Sequence, residues 1–144
     1  MGLLTILLTL FVMLELSNAL ALYFNPTLKQ ANAVGVFKAW DDSKANRETH
    51  NFVRYLVYWV AGTKLIFLSL LSVILIFGND MTKLLGTLSL VISIGVYYWK
   101  MHPLLRVMDT NGELTPSGYS KQLGIMIFII MFALLGGAVS FILY

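Results

Sequence analysis

The chain has 144 residues, of which 58% are hydrophobic and only 12% charged; its mean hydropathy is +0.80 and it has no cysteine. A water-soluble domain carries about 25% charged residues, so an ordinary soluble domain is excluded, and without cysteine so are disulfides, thiol nucleophiles and thiolate metal sites. The net charge is +3, and the basic residues fall in loops and at helix ends, which points to membrane orientation and anionic headgroups rather than to nucleic acid.

Four apolar runs, each about as long as a bilayer is thick, take up most of the sequence. The expected fold is all-α: a polytopic bundle of four transmembrane helices, one domain over residues 1–144. Span 1 covers residues 3–24, Leu3 to Phe24. Glu15 and Asn18 are its strongly polar interruptions, and Asn25-Pro26 closes it because a residue before proline avoids the helical region. Ala19-Leu20-Ala21 resembles a leader cleavage site, but the stretch carries no Lys or Arg. It therefore reads as a retained span.

Loop 1 covers residues 25–54. Val34, Val36, Phe37 and Trp40 form an apolar cluster beside Lys38, the pattern of a short helix lying among headgroups. Asp41-Asp42-Ser43 reads as the N-cap of a polar helix leading into span 2. Span 2 covers residues 55–77 and enters at an aromatic belt of Tyr55, Tyr58 and Trp59. Gly78-Asn79-Asp80 is a tight turn. Span 3 covers residues 84–100 and ends on the belt Tyr97, Tyr98, Trp99. Loop 3 covers residues 101–120, with His102-Pro103 at its start and a turn tipped by Asn111-Gly112. Span 4 covers residues 122–144 and has no charged side chain.

Loops 1 and 3, with the helix ends that flank them, hold Lys29, Lys38, Lys44, Arg47, Arg54, Lys100, Arg106 and Lys121. The turn between spans 2 and 3 holds only Lys83. That asymmetry puts the loops in the cytoplasm and both termini on the non-cytoplasmic side. It serves equally for a plasma or an organelle membrane.

Two charges fall inside the spans. Glu15 lies nine residues from Phe24, about 13 Å at the helical rise, and Lys64 lies ten from Arg54, about 15 Å. Their depths match. An isolated charge there costs roughly 3 kcal/mol or more, so a Glu15–Lys64 ion pair is the simplest arrangement. Asn18, three residues on, joins the same face, and Thr63 is placed to hydrogen-bond into the pair from its edge. Such a pair serves either as a structural lock or as a gate, ion site or proton relay.

Other signals are weaker. Ala133-x-x-x-Gly137 and Gly136-x-x-x-Ser140 on span 4 let another helix approach closely, within the bundle or between chains. Arg47, His50 and His102 gather at the cytoplasmic interface, but with no metal-ligand spacing. No motif identifies a family, a catalytic set or a cofactor. The first expectation is a non-catalytic subunit or assembly partner in a membrane complex, with the lipid bilayer and a homo- or hetero-oligomeric membrane partner as its contacts. The alternatives are an oligomeric channel or transporter that uses the Glu15–Lys64 pair, and a lipid-modifying enzyme working at Arg47, His50 and His102.

Overall fold

The structure is a computed structural model that describes residues 2–29 and 34–143. Among these residues the regular structure is helical: α1 (Leu3–Phe24), a 3-10 turn (Val34–Val36), α2 (Lys38–Ser43), α3 (Arg47–Phe77), α4 (Asp80–Gly95), α5 (Tyr97–Thr110) and α6 (Tyr119–Leu143). Among the described residues, four stretches are long and apolar enough to cross a membrane: α1, α3, the α4–α5 run over Asp80–Thr110, and α6. At the α-helical rise, 22 residues reach about 33 Å and 25 residues about 37 Å, against a hydrocarbon thickness of about 30 Å.

The helices form a bundle in which α1 packs against α3, α6 and α4, while α6 also packs against α4 and α5. The largest core cluster joins α1, α3, α4 and α6 through Leu8, Phe11, Leu71, Leu90 and Leu134. Leu3, Leu4, Asp80, Lys83 and Ser140 line one cleft. The start of α1, the α3–α4 turn and the end of α6 therefore share one end of the bundle. The opposite end carries the two loops and has two smaller cores. One sets Trp40 against Leu22, Val57 and Ala61; the other gathers Tyr97, Leu105, Leu114 and Leu123.

The loops are bonded to each other. Lys38 donates its backbone N–H to Glu113 (2.9 Å), and Thr115 donates to Val36 (2.8 Å), which makes an isolated antiparallel bridge between Phe37 and Leu114. Gly35 permits a second close approach: a Cβ there would stand 2.1 Å from the Thr27 carbonyl oxygen.

Several boundaries differ from the sequence reading. The N-cap of the helix leading into span 2 is Asn46, not Asp41-Asp42-Ser43. The Asn46 side chain accepts from the N–H groups of Glu48 and Thr49, whereas Asp41, Asp42 and Ser43 belong to the separate short helix α2. The helix thus starts at Arg47, inside the expected loop 25–54, and its first turns gain packing on Trp40 through Val53 and Val57. Span 3 was expected over 84–100. It starts at Asp80 because Asn79 accepts from both the backbone N–H and the hydroxyl of Thr82.

The expected loop 101–120 is half helix. α4 is interrupted at Val96, but α5 then runs to Thr110 with Pro103 inside it. Proline denies the carbonyl four residues back its usual donor. The burial of Leu105 and Met108 beside Tyr97 and Leu123 outweighs that missing bond. Asn111-Gly112 does make the turn, with Gly112 at φ +70°. α6 begins at Tyr119, ahead of the expected 122. Asp109 accepts the N–H of Gly118 and both the N–H and hydroxyl of Ser120, and so supplies donors at this helix start with a carboxylate partner. Tyr144, where span 4 was expected to end, lies outside the described residues.

Candidate functional site

Several hydroxyls along the long helices are satisfied locally. Thr9 donates to the carbonyl of Thr5, Thr87 to Lys83 and Ser93 to Ser89. Back-bonding of this kind hides a hydroxyl within its own helix. Thr63 does the same, donating to the Trp59 carbonyl at 2.9 Å. It is therefore not the edge partner of Lys64 expected from sequence, because its own backbone offers a nearer acceptor.

A charged side chain has no such local remedy, and here two helices are needed. Lys64 Nζ on α3 donates to Glu15 Oε2 on α1 at 2.6 Å, across 49 positions of sequence. Asn18 Nδ2 donates to the other carboxylate oxygen, Oε1, at 3.2 Å. Asn18 is buried, with 5% of its surface exposed. The three side chains form one chain of contacts: amide, carboxylate, ammonium. The pair is only partly covered, with 25% of the Lys64 side chain and 18% of the Glu15 side chain still exposed. Chemically, the arrangement can hold a proton or a small ion at Glu15, or it can simply tie α1 to α3.

The three residues expected at the loop end do not form one site. Arg47 is the exposed first residue of α3. His50 turns toward α2: its Nδ1 lies 2.8 Å from Ser43 Oγ, and its ring lies 5.0 Å from that of Trp40, tilted by 55°. Ser43 gives its one hydroxyl proton to the Trp40 carbonyl, so the proton of the His50 contact belongs on Nδ1. His102 sits instead on α5, with Nδ1 3.1 Å from the Tyr97 hydroxyl and its ring edge-on to Tyr98. No group of three His, Cys, Asp or Glu residues that could hold a metal occurs among the described residues.

The small residues of span 4 also divide. Gly137 faces α1, where an added Cβ would meet Leu7 Cδ1 at 2.7 Å, while Gly136 faces open space. Ala133 is exposed and borders an apolar groove with Leu7, Leu10 and Leu14. Ser140 lies at the terminal end, near Asp80 and Lys83.

Sequence reasoning passed over the surroundings of His102. Gly124 on α6 lies against the ring, and a Cβ there would stand 2.8 Å from His102 Cε1. The Tyr98 hydroxyl donates to the Gly124 carbonyl at 2.6 Å. The available signal was the four-residue spacing of Tyr98, His102 and Arg106, which sets them on one helical face once residues 101–110 are taken as helix.

Compared with known proteins, the chain matches no family model, no curated sequence and no solved structure.

Proposed function

We propose that the chain is a multi-pass integral membrane protein serving as a non-catalytic subunit or assembly partner of a membrane complex. Its loop end faces the cytoplasm and both termini face the other side. The eight basic residues at the loop end, against Lys83 at the other, support that orientation.

One observation carries the subunit assignment. The Glu15–Lys64 pair is neutralised within the chain but incompletely covered. An ammonium group has three donors, and Glu15 takes one. Hydrocarbon offers nothing to the remainder. A neighbouring helix laid over this face would complete the enclosure, whether it came from a second copy or from another protein. The outward Gly136 on α6 gives a further point where backbones can approach closely.

The test is solubilisation in mild detergent with a photo-crosslinking residue in place of Val60. That position is one turn from Lys64 and half exposed. A stoichiometric protein adduct from position 60 is expected. A monodisperse monomer that cross-links only lipid would overturn the assignment.

The same exposed pair favours one second reading, an oligomeric channel or transporter with Glu15 in the pathway. Ion or solute flux in reconstituted vesicles, abolished by Glu15→Gln, would mark it. Equal flux in wild type and Glu15→Gln would exclude that role for the carboxylate.

A further inference from the structure

The facing surfaces of α5 and α6 enclose a cleft of about 460 Å³ at the loop end. Its lining changes character along the helix axes. On α5 the wall is Arg106, then His102, then Tyr98, at successive four-residue steps. On α6 it is Lys121, then Ile125 and Phe128. Seven residues separate Lys121 from Phe128, about 10 Å at the helical rise. The cleft therefore carries two permanent cations at its loop-end mouth and apolar or aromatic side chains toward the helix interior. Gly124 lets the His102 ring lie close against α6 in the wall of the cleft, since a side chain there would run into the ring.

The acidic group closest to Arg106 in sequence, Asp109, is not among the ion pairs of the described residues. Asp109 is engaged by Gly118 and Ser120 at the start of α6 and is not part of the lining. The Ser120 hydroxyl is committed to Asp109, and the Tyr98 hydroxyl to the Gly124 carbonyl. Arg106 and Lys121 are the charged groups that line the cleft. Arginine offers a fork that matches phosphate oxygens, and lysine acts as a point charge.

We propose that this cleft binds a phosphate-bearing anion, carried on an anionic lipid or free in solution. The two ends of the cleft fit an amphiphile in register: the phosphate between Arg106 and Lys121, and the first acyl carbons against Ile125 and Phe128.

Binding is read by native mass spectrometry of protein reconstituted from phosphatidylcholine vesicles with added phosphatidylglycerol. Inorganic phosphate is offered in a separate arm. Wild type should retain phosphatidylglycerol over phosphatidylcholine by about tenfold or more, and Arg106→Gln/Lys121→Gln should lose that preference. Lys29→Gln/Lys38→Gln removes the same charge from exposed sites on loop 1 and should keep it. Competition by inorganic phosphate, lost in the same double variant, would assign the cleft to the free anion. Equal retention of the two lipids by wild type with no phosphate competition would overturn the proposal. So would an equal loss in the loop 1 control. Arg106 and Lys121 are both exposed, so the single variants carry the same comparison if the double variant does not fold.

Discussion

Two regions of the molecule hold the same chemical contact. At the C-terminal end of α2, Lys44 Nζ meets Asp41 Oδ1 at 2.6 Å; between α1 and α3, Lys64 Nζ meets Glu15 Oε2 at the same 2.6 Å. The distances are equal and the surroundings are not. The Lys44 and Asp41 side chains are 47% and 64% exposed, against 25% and 18% for Lys64 and Glu15. Asp41 and Lys44 are also only three residues apart, at the end of one short helix, whereas Glu15 and Lys64 join two long ones. The lesson is that an ion pair's length says little about its importance. What matters is what remains when one partner is taken away. At the loop end a lone charge is rehydrated, and such pairs contribute little. Midway along an apolar helix, on the membrane-spanning reading proposed above, a lone charge has no water to turn to.

The largest effect should come from breaking the mid-helix pair on one side only. Glu15→Leu leaves the Lys64 ammonium uncompensated and should cost roughly 3 kcal/mol or more, read as a lower unfolding midpoint in detergent or lipid. Glu15→Leu/Lys64→Met, which removes both charges, should recover most of that loss, because apolar replacement of a whole pair is often neutral or stabilising. Equal destabilisation in the single and double variants would mean that the pair's packing, not its charge balance, holds α1 to α3.

A smaller effect should follow from Asn18→Leu. It deletes one hydrogen bond to the carboxylate while keeping a side chain of similar volume at this buried position. Hydrogen bonds to charged groups contribute about 1.5 to 3 kcal/mol, and the 3.2 Å length argues for the lower part of that range. If the change proves neutral in the wild type yet stabilising in Glu15→Leu/Lys64→Met, Asn18 matters only as a satellite of the pair.

The smallest effect belongs to the loop-end pair. The hydrogen bond and charge of Lys44 hold the Asp41 carboxyl below its ordinary value of 3.8. A depressed folded-state value means that the contact's contribution is present above 3.8 and is lost as pH falls through the folded-state value. Carbon-detected titration of Asp41 should give a midpoint below 3.8, moving upward in Lys44→Gln with little change in the unfolding midpoint at neutral pH. A large drop in stability in Lys44→Gln would erase the contrast between the two regions.

The four long helices and the contact of Glu15 with Lys64 could be worked out on paper for a simple reason. Hydropathy over twenty residues is a local property, and helical rise converts residue counts into depth. Two opposite charges at one depth leave few ways to be satisfied. The surroundings of His102 could not be reached this way. Pro103 is a local signal for a break, and it was overruled by the packing of Leu105 and Met108, which depends on α6 and on Leu114 after the turn. His50 and His102 lie at the same end of the chain's map but belong to different clusters, one on Trp40 and one on Tyr97 and Tyr98.

The small residues of span 4 make the same point within a single helix. Gly136 and Gly137 are adjacent and chemically identical. Only the direction of α1 decides that Gly137 is enclosed and Gly136 is open.

From its sequence alone this chain determines how many long apolar helices it makes, roughly where each one runs, and that Glu15 and Lys64 need partners, because those are consequences of local composition and of the cost of burying charge. The tertiary structure alone decided that loops 1 and 3 bond to each other through Phe37 and Leu114, that α5 continues past Pro103, and that Arg106 and Lys121 flank one cleft. Those outcomes rest on contacts between residues distant in sequence, where the burial gained on a neighbouring helix outweighs the local preference of the backbone.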